Sequence, residues 1–389
     1  MNILLCWGYH RKGWIACLEE LNDEFDFTYL YYRQSWEEEG ACTDCPRVYW
    51  NDFQSGFEVL DRLRPEKVVF MSIDSGYAVA LNVACRARGV PTLILQHGLA
   101  QSLEEYLAGT QTRDTPPAVS PPPGARLSKT DTLLFLIRSV PWWQYWKLPR
   151  LLLYFLVQSK RGSWYAQFRL GSSDTRPNHY ICFSYQNAQV YRELDPGSEA
   201  RTSYIGIPEF ASFFERTPLE SQGEYYLLID QPWAENRYGQ TGITREQMIS
   251  MYNILAEYAA NKNRRLRVKL HPESYRSDWL PQHENIDWIR DADVFKLITG
   301  ADGVFGSNST LMLPALYFRP CFLIDGTGSR FVADVLGRGI ARGCSLSQLN
   351  SIKISFVERK PDSPKFIEFV CSYLSLNGER KSLREQLAA

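Results

Sequence analysis

The sequence predicts an α/β protein with parallel β-sheets, and two observations indicate this class. Short apolar runs recur along the chain, each followed by a cluster of polar residues, and segments with helical periodicity separate successive runs. Both halves of the chain show this alternation. Strands that alternate with helices form parallel sheets, and such sheets bind ligands outside the carboxyl ends of their strands. We therefore expect the polar clusters to mark half of a ligand site in each half of the chain.

The composition limits the function classes. At 389 residues the chain has room for two domains. Its 43 basic and 44 acidic residues nearly balance, which argues against nucleic acid as the main partner. The nine cysteines are scattered without a disulfide framework, which indicates a reducing, cytoplasmic setting. The N-terminal apolar run is short and precedes its basic residues, so it predicts a buried strand rather than a signal peptide.

The first half of the chain alternates strand and helix patterns. Its predicted strands are Asn2–Cys6, Asp26–Tyr32, Lys67–Ser72, Pro91–Leu95, Tyr180–Phe183 and Thr202–Pro208. The Ala-rich segment Tyr77–Arg88 has helical periodicity, and Gly89 after it favours a helix C-terminus. Asp74 follows one of these strands and Gln96-His97-Gly98 follows the next. A right-handed crossover between the two strands places Asp74 and His97 on the same edge of the sheet.

Asp74 is the candidate general base of the first half, because a carboxylate at a strand end can take the proton of an acceptor hydroxyl. Gln96, His97 and Gly98 are candidate acceptor-binding residues, and His97 is a candidate catalytic residue that orients the base. The alternative is that Asp74 serves only as a turn or capping residue, which is a common use of Asp.

Cys42 and Cys45 form a C-x-x-C pair in the first half. A zinc site needs four ligands, and no second pair follows at suitable spacing. The sequence therefore predicts two loop cysteines here and no metal site.

An insertion at about 111–165 interrupts the first half. It begins with a Pro-rich run at 115–124, which predicts a loop. Residues 133–156 are apolar and aromatic but are broken by Arg138, Lys147 and Arg150, so they do not fit a spanning helix. Basic residues between Trp, Tyr and Leu favour an element that lies on a membrane surface. The alternative is a pair of core helices that join the domains.

The second half repeats the pattern after a polar, irregular stretch, and we predict domains at 1–215 and 216–389. Its predicted strands are Tyr225–Ile229, Leu266–Leu270, Gly303–Phe305 and Cys321–Ile324. Thr244 and Gln247 form a capping box before an apolar stripe at helical spacing, which predicts a helix there.

A hydroxyl-rich cluster, Gly306-Ser307-Asn308-Ser309-Thr310, joins a strand to a predicted helix. The backbone N–H groups and the dipole at a helix N-terminus favour an anion, and the hydroxyls add hydrogen-bond donors. The cluster therefore predicts a phosphate site. The alternative is an ordinary Ser/Thr helix cap.

His271-Pro272-Glu273 follows another strand of the second half. The proline stops the strand and fixes the turn, which holds the imidazole at the sheet edge. A histidine there can donate a hydrogen bond to a phosphate oxygen or protonate a leaving group near neutral pH. The alternative is a histidine that only packs at or caps a turn.

Three motifs carry a resemblance to a known group of enzymes. Residues 228–232 (LIDQP), 269–272 (KLHP) and 306–310 (GSNST) resemble the C-terminal half of bacterial sialyltransferases and polysialyltransferases, which are GT-B glycosyltransferases. They are similar also to motifs of capsule Kdo transferases and of CDP-glycerol-dependent teichoic acid polymerases. In those families a His-Pro motif and a Ser-Ser/Thr motif hold the phosphate of a cytidine nucleotide without a metal, and an Asp in the N-terminal half is the base.

The resemblance implies two Rossmann-like domains that face each other across a cleft. Asp74, His97 and His271 would be catalytic, and the donor would bind at Gln231, Pro232, His271, Pro272, Glu273, Gly306, Ser307, Asn308, Ser309 and Thr310. The implied reaction is metal-independent transfer of a 2-keto acid sugar, such as sialic acid or Kdo, from a CMP donor to a surface polysaccharide or glycolipid. The cysteine pattern and the composition of residues 133–156 predict a cytoplasmic location, with peripheral contact to the inner face of the membrane through about 133–156. Two rivals stay open: an enzyme that uses a UDP-sugar or CDP-alditol, and a non-catalytic partner in polysaccharide assembly.

Overall fold

The computed structural model describes residues 1–6, 17–31, 46–99, 102–105, 107, 128–218, 224–235, 242–376 and 382–389. The Cys42/Cys45 pair and the Pro-rich run at 115–124 lie outside the described residues. Within them the chain divides into two compact units. The first runs to Glu209 and includes the C-terminal residues 382–389, and the second runs from Phe210 to Leu376. The structure divides the chain after Glu209, whereas the sequence predicted a boundary after residue 215.

The first unit is built on a parallel sheet. Its described strands are β1 (Asn2–Cys6), β2 (Asp26–Tyr31), β3 (Arg47–Tyr49), β4 (Lys67–Phe70), β5 (Thr92–Leu95), β6 (His179–Cys182) and β7 (Thr202–Tyr204). They are arranged in the order β3-β2-β1-β4-β5-β6-β7. Every pairing is parallel. All residues of β4 and β5 are buried, because helices cover both faces of a sheet of this kind.

The helices of the first unit follow the strands in sequence. They are α1 (Gly56–Leu63), α2 (Gly76–Arg88), α3 (Lys129–Arg138), α4 (Leu148–Arg161), α5 (Ser163–Leu170), α6 (Gln189–Leu194) and, at the C-terminus, α12 (Leu383–Ala388). Gly89 ends α2 at φ 71°, a left-handed conformation that glycine adopts without strain, as predicted. Leu387 of α12 is fully buried, and its carbonyl accepts a hydrogen bond from Lys67 Nζ at 2.7 Å. The C-terminal helix is thereby fixed to the first unit.

The second unit is built on another parallel sheet. Its described strands are β8 (Tyr225–Ile229), β9 (Arg265–Lys269), β10 (Ile286–Ile289), β11 (Val304–Gly306), β12 (Cys321–Asp325) and β13 (Arg342–Ser345). They are arranged in the order β10-β9-β8-β11-β12-β13, and every pairing is parallel. The helices are α7 (Arg245–Ala260), α8 (Val294–Thr299), α9 (Met312–Phe318), α10 (Arg330–Arg338) and α11 (Pro364–Phe369).

Helix α7 shows how the local sequence sets the element. Thr244 Oγ1 accepts from the backbone N–H of Gln247 at 3.3 Å, and Gln247 Oε1 accepts from the N–H of Thr244 at 2.8 Å. This is the predicted capping box, which satisfies backbone donors that the first turn of a helix leaves without partners. Met248, Met251 and Leu255 lie on the buried face of α7, as the apolar stripe predicts.

Both sheets have the same strand order relative to the sequence. In each unit the second and third strands lie successively on one side of the first strand, and the fourth strand pairs with the first on its other side. This is the Rossmann order, and its switch point lies between the first and fourth strands. The switch point is between β1 and β4 in the first unit and between β8 and β11 in the second. The turns after β4 and β11 therefore hold equivalent positions, at the place where such sheets bind ligands.

The predicted membrane-surface segment at 133–156 is not one continuous helix. It comprises the end of α3, a 3-10 turn over Trp142–Lys147 and most of α4. Phe135, Leu136, Leu151 and Tyr154 are buried in the core of the first unit, as expected for core helices. The Trp142–Lys147 turn has no buried residue. Within the described residues, no helix combines the length and the apolar character that a membrane crossing requires.

Candidate functional site

Asp230 lies at the end of β8, beside the switch point of the second unit. It is 2% exposed, and its carboxylate accepts a hydrogen bond from the Tyr252 hydroxyl at 2.7 Å and another from the backbone N–H of His271 at 3.2 Å. Tyr252 is on α7 and His271 follows β9, so one carboxylate joins a helix, a central strand and a neighbouring turn. Such a buried charge holds the strand ends in a fixed arrangement because each bond satisfies a group that is shielded from water.

The environment of Asp230 disfavours its charged form. Burial raises the pKa of this carboxyl from 3.8 to about 6, and the hydrogen bonds from Tyr252, Ser274 and His271 oppose that rise. The nearby charge of Glu235 adds to the rise. Desolvation is the largest cause. Asp230 therefore changes protonation state at a mildly acidic pH.

His271 lies in the turn that follows β9. Its backbone is extended, and its Nδ1 accepts a hydrogen bond from the N–H of Glu273 at 3.2 Å, at the start of a 3-10 turn over Pro272–Arg276. In a neutral imidazole an accepting Nδ1 leaves the proton on Nε2. The side chain therefore presents Nε2 as a donor. Strand β9 ends at Lys269, and Pro272 begins the 3-10 turn three residues later. Pro272 is exposed and Glu273 is half-buried.

The hydroxyl-rich cluster at 306–310 follows β11 on the other side of β8 from the His271 turn. Strands in a sheet are about 4.8 Å apart, so the ends of β9 and β11 are separated by about 10 Å with Asp230 between them. Ser307 is 2% exposed, and its hydroxyl has no hydrogen-bond partner among the described residues. The side-chain oxygen of Asn308 is also buried and has no partner among these residues.

Helix α9 begins at Met312, after the whole hydroxyl-rich cluster, so no serine or threonine of the cluster is its N-cap residue. Its N-cap is Leu311, without a side-chain hydrogen bond, and the helix has only seven residues. The hydroxyls of the cluster therefore do not cap α9, so the alternative of an ordinary Ser/Thr cap does not apply. Gly306 serves packing, because a Cβ there would lie 2.2 Å from Sδ of Met312, which is fully buried. Gln231 and Pro232 after β8 are half-buried, and the Gln231 amide donates to the carbonyl of Asp230 at 3.0 Å.

Asp74 lies in the turn after β4, at the switch point of the first unit. Its side chain is exposed, and Ser75 caps α2 by accepting from the N–H of Ala78 at 3.1 Å. Desolvation by the surrounding protein raises the pKa of Asp74, and a hydrogen bond from Ser72 opposes the rise. A raised pKa makes a carboxylate a stronger base.

The turn at Asp74 is held by α4, which belongs to the predicted insertion at about 111–165, and by α5, which begins at the end of that insertion. Gln158 and Ser163 both donate hydrogen bonds to the backbone carbonyl of Asp74, the latter at 2.6 Å. Gln167 donates to the carbonyl of Ile73 at 3.2 Å. Gly76 completes the packing, since a Cβ there would lie 2.4 Å from Thr132 Cγ2. The insertion is thus part of the support of the candidate base.

The three residues after β5 have different roles. Gln96 is 3% exposed, its Oε1 accepts from the N–H of Phe183 at 2.9 Å, and its Nε2 donates to the carbonyl of Gly98 at 3.1 Å. It therefore ties the end of β5 to the end of β6 and shapes the turn. Gly98 makes that turn with φ 65°, and His97 is half-buried beside it. Asp74 and His97 follow adjacent strands, as the crossover predicts.

Sequence reasoning missed two kinds of residue at these sites. Asp230 was part of a motif but was not identified as a site residue, although an acidic residue directly after a fully apolar strand was the available signal. Gln158, Ser163 and Gln167 carried no signal, because their partners lie 84 to 94 residues earlier in the chain.

Comparisons with known proteins show the fold. No protein-family model matches this chain, and neither does any curated protein sequence. Among solved structures, the glycotransferase of kitacinnamycin superposes with a TM-score of 0.52 at 13% identity, covering 99% of this chain and 95% of that one. The wall teichoic acid polymerase TagF superposes with a TM-score of 0.50 at 12% identity, covering 100% and 87%. The predicted fold class, with two Rossmann-like domains of the GT-B kind, is confirmed.

Proposed function

We propose that this chain is a nucleotide-sugar-dependent glycosyltransferase whose donor binds at the switch point of the second unit. The unsatisfied polar atoms of Ser307 and Asn308 are the observation that carries the proposal. Buried polar atoms without partners are rare, because each costs about 1–3 kcal/mol. A ligand that accepts from the Ser307 hydroxyl and donates to the Asn308 oxygen would remove this cost. A nucleotide sugar carries both kinds of group, phosphate oxygens and hydroxyls.

The His271 turn supports a phosphate between β9 and β11. Nε2 of His271 is the protonated nitrogen, and a phosphate oxygen accepts hydrogen bonds from N–H donors strongly because it is charged. The donor set on this edge consists of an imidazole and hydroxyls, which stabilise a leaving phosphate without a metal ion. We therefore propose metal-independent transfer, in which His271 and Ser307 neutralise the departing nucleotide.

The finer proposal concerns the donor and the acceptor. The motifs at 228–232, 269–272 and 306–310 favour a CMP-linked 2-keto acid sugar such as sialic acid or Kdo. Asp74 would take the proton of the acceptor hydroxyl, and His97 would lie close to the acceptor. We propose a surface polysaccharide or glycolipid as acceptor, presented at the inner face of a membrane that residues 133–156 contact. A UDP-sugar or CDP-alditol donor, and a non-catalytic role in polysaccharide assembly, are the rival proposals.

A nucleotide panel tests the donor. CMP, CDP, UDP and GDP are added to the purified full chain, and Tm is measured by calorimetry with the wild type and with Ser307→Ala. A nucleotide at a hundred times its Kd stabilises a folded unit by about 2.7 kcal/mol, which raises Tm by roughly 5–10 °C. We expect CMP to give the largest shift, and the variant to lose at least about half of that shift. A larger shift with UDP would favour the UDP-sugar rival, and no shift with any nucleotide would refute the donor site.

Turnover assays separate the enzyme from the non-catalytic partner. Release of free nucleotide from the donor that the panel identifies is measured for the wild type, Asp74→Asn and His271→Ala. We expect each variant to lose at least about a hundredfold in rate, because general acid–base catalysis contributes typically 10²–10⁴-fold. Wild-type rates in both variants would refute the role assignment. A wild type that binds a nucleotide but shows no turnover with any donor or acceptor would support the non-catalytic role.

A further inference from the structure

The Trp142–Lys147 turn exposes aromatic side chains at a density that folding does not explain. The exposed fractions are 76% for Trp142, 55% for Trp143, 51% for Tyr145 and 75% for Trp146. A single exposed apolar residue is ordinary, but a contiguous apolar patch marks a surface that contacts a partner or a membrane. Trp142 and Trp143 pack edge to face with ring centroids 5.7 Å apart.

Helix α4 continues the same apolar surface. Its exposed positions Pro149, Leu153, Leu156 and Lys160 recur at the spacing of one helix face, and Leu153 and Leu156 are 49% and 54% exposed. The opposite face carries Leu151 and Tyr154, each 2% exposed, in the core of the first unit. A helix that only covered the core would have polar residues on its outer face. The outer leucines of α4 therefore need a second explanation.

The segment that forms this surface carries charges of one sign. Residues 132–173 contain six basic residues, Arg138, Lys147, Arg150, Lys160, Arg161 and Arg169, and no Asp or Glu. Lys160 and Arg161 are exposed in the last turn of α4. Lys147 is paired with Asp174, just outside the stretch, at 2.8 Å. A surface of tryptophan, leucine and cations is complementary to a layer that is apolar inside and anionic at its face.

We propose that a docking surface, formed by Trp142, Trp143, Tyr145, Trp146, Leu153, Leu156, Lys160 and Arg161, binds an anionic phospholipid bilayer. Tryptophan and tyrosine rings occupy the headgroup level of a bilayer, and lysine and arginine bind its anionic lipids. A second copy of the chain fits less well, because a twofold contact places the same patch on both sides and sets like charges against each other.

The docking surface lies on the outer side of the helix that supports Asp74. Gln158, whose amide binds the Asp74 carbonyl, is on the same face of α4 as Leu151 and Tyr154, opposite Leu153 and Leu156. An α-helix with its side chains is about 10–12 Å across. Docking therefore brings the Asp74 turn to within about one helix diameter of the lipid headgroups. This consequence for the acceptor rests on the proposed function, whereas the binding of lipid does not.

Vesicle flotation tests the apolar part of the docking surface. The full chain is mixed with phosphatidylcholine vesicles that contain or lack about a third of phosphatidylglycerol, and the partition coefficient is measured for the wild type and for Trp142→Ser/Trp146→Ser. We expect the wild type to prefer the anionic vesicles by at least about tenfold, and the variant to lose at least about tenfold. Its Tm should stay unchanged, since both rings are at least 75% exposed. Ile367→Ser, an exposed apolar residue of the second unit, is the matched control.

A second variant pair tests the cationic part. Lys160→Gln/Arg161→Gln should lower partition to anionic vesicles by about 30-fold, from the contribution of two cations near such a surface, and leave partition to pure phosphatidylcholine unchanged. High salt should also lower the partition of the wild type to anionic vesicles, because it screens the charges of the lysine and arginine side chains. Lys353→Gln/Lys360→Gln removes two exposed cations of the second unit and should change nothing.

Three outcomes would overturn the inference. The first is a wild type that does not float with either kind of vesicle, and the second is a set of variants that float as well as the wild type. The third is a dimer that forms without lipid and is abolished by Trp142→Ser/Trp146→Ser, because that result would assign the surface to a second copy of the chain. Flotation needs neither donor nor acceptor. If the chain floats but binds no nucleotide, the docking surface is supported and the donor site is refuted. If it binds a nucleotide but does not float, the donor site is supported and the docking surface is refuted.

Discussion

The turns after β4 and β11 hold equivalent places in their sheets and contain the same residue type, yet they use it differently. Ser75 in the first turn accepts from the N–H of Ala78 and caps α2. Ser307 in the second turn is buried, and its hydroxyl has no partner among the described residues. Ser75 thus caps a helix that starts directly after it, whereas Ser307 caps no helix because α9 starts several residues later.

The two turns also differ in what supports them. The Asp74 turn is held by side chains of α4 and α5, which are remote from it in the sequence. The His271 turn, beside β8, is held by the buried carboxylate of Asp230, which belongs to the sheet itself. One candidate site therefore depends on helices that are remote in the sequence, and the other depends on a carboxylate inside the core.

The largest expected effect comes from removing the core charge. Asp230→Ala leaves the Tyr252 hydroxyl and the His271 N–H buried without an acceptor, at about 1–3 kcal/mol each, so the second unit should lose about 4 kcal/mol of unfolding free energy. Hydrogen exchange of peptides from each unit measures this, because it reports the two units separately. Tyr252→Phe removes only one of the two donors and should cost less. A loss below 1 kcal/mol for Asp230→Ala would show that the sheet does not depend on this carboxylate.

A smaller effect is the pH dependence that the same carboxyl gives to the second unit. Its pKa is raised from 3.8 to about 6 by burial, so the folded state binds this proton more tightly than the unfolded state. The resulting stabilisation is complete below pH 3.8 and is lost as pH rises through 6. The shift corresponds to about 3 kcal/mol.

Asp230→Asn provides the control for this pH effect, because it cannot titrate. The free energy of unfolding of the wild type minus that of the variant should fall by about 2.4 kcal/mol between pH 4 and pH 7. The groups near Asp230 are the Tyr252 hydroxyl, the His271 turn, Glu235 and Lys269, and all remain in both proteins. A difference that stays level over this range would mean that Asp230 is ionised without penalty in the fold.

The comparison also shows what the sequence could predict. The strand ends at Asp74, His271 and Ser307 were predictable, because apolar runs and the polar residues after them are local signals. The support of those ends was not, since Asp230 acquires its role only when Tyr252 and His271 are brought to it by the fold. The alternatives for residues 133–156 could not be separated either, because α4 uses one face for the core and exposes apolar residues on the other.

The smallest expected effects are the most direct test of the comparison, because they have opposite signs. Ser75→Ala removes a helix cap and should destabilise the first unit by about 1 kcal/mol. Ser307→Ala removes a buried hydroxyl without a partner and should leave the second unit unchanged or stabilise it by up to about 1 kcal/mol. The same variant should weaken nucleotide binding by at least about tenfold, as expected for a lost hydrogen bond to a charged group, whereas Ser75→Ala should not. Urea denaturation and calorimetric titration measure the two quantities on the same samples. If Ser307→Ala destabilised its unit as much as Ser75→Ala does, both serines would be structural. The Ser307 hydroxyl would then no longer support a ligand site in the turn after β11.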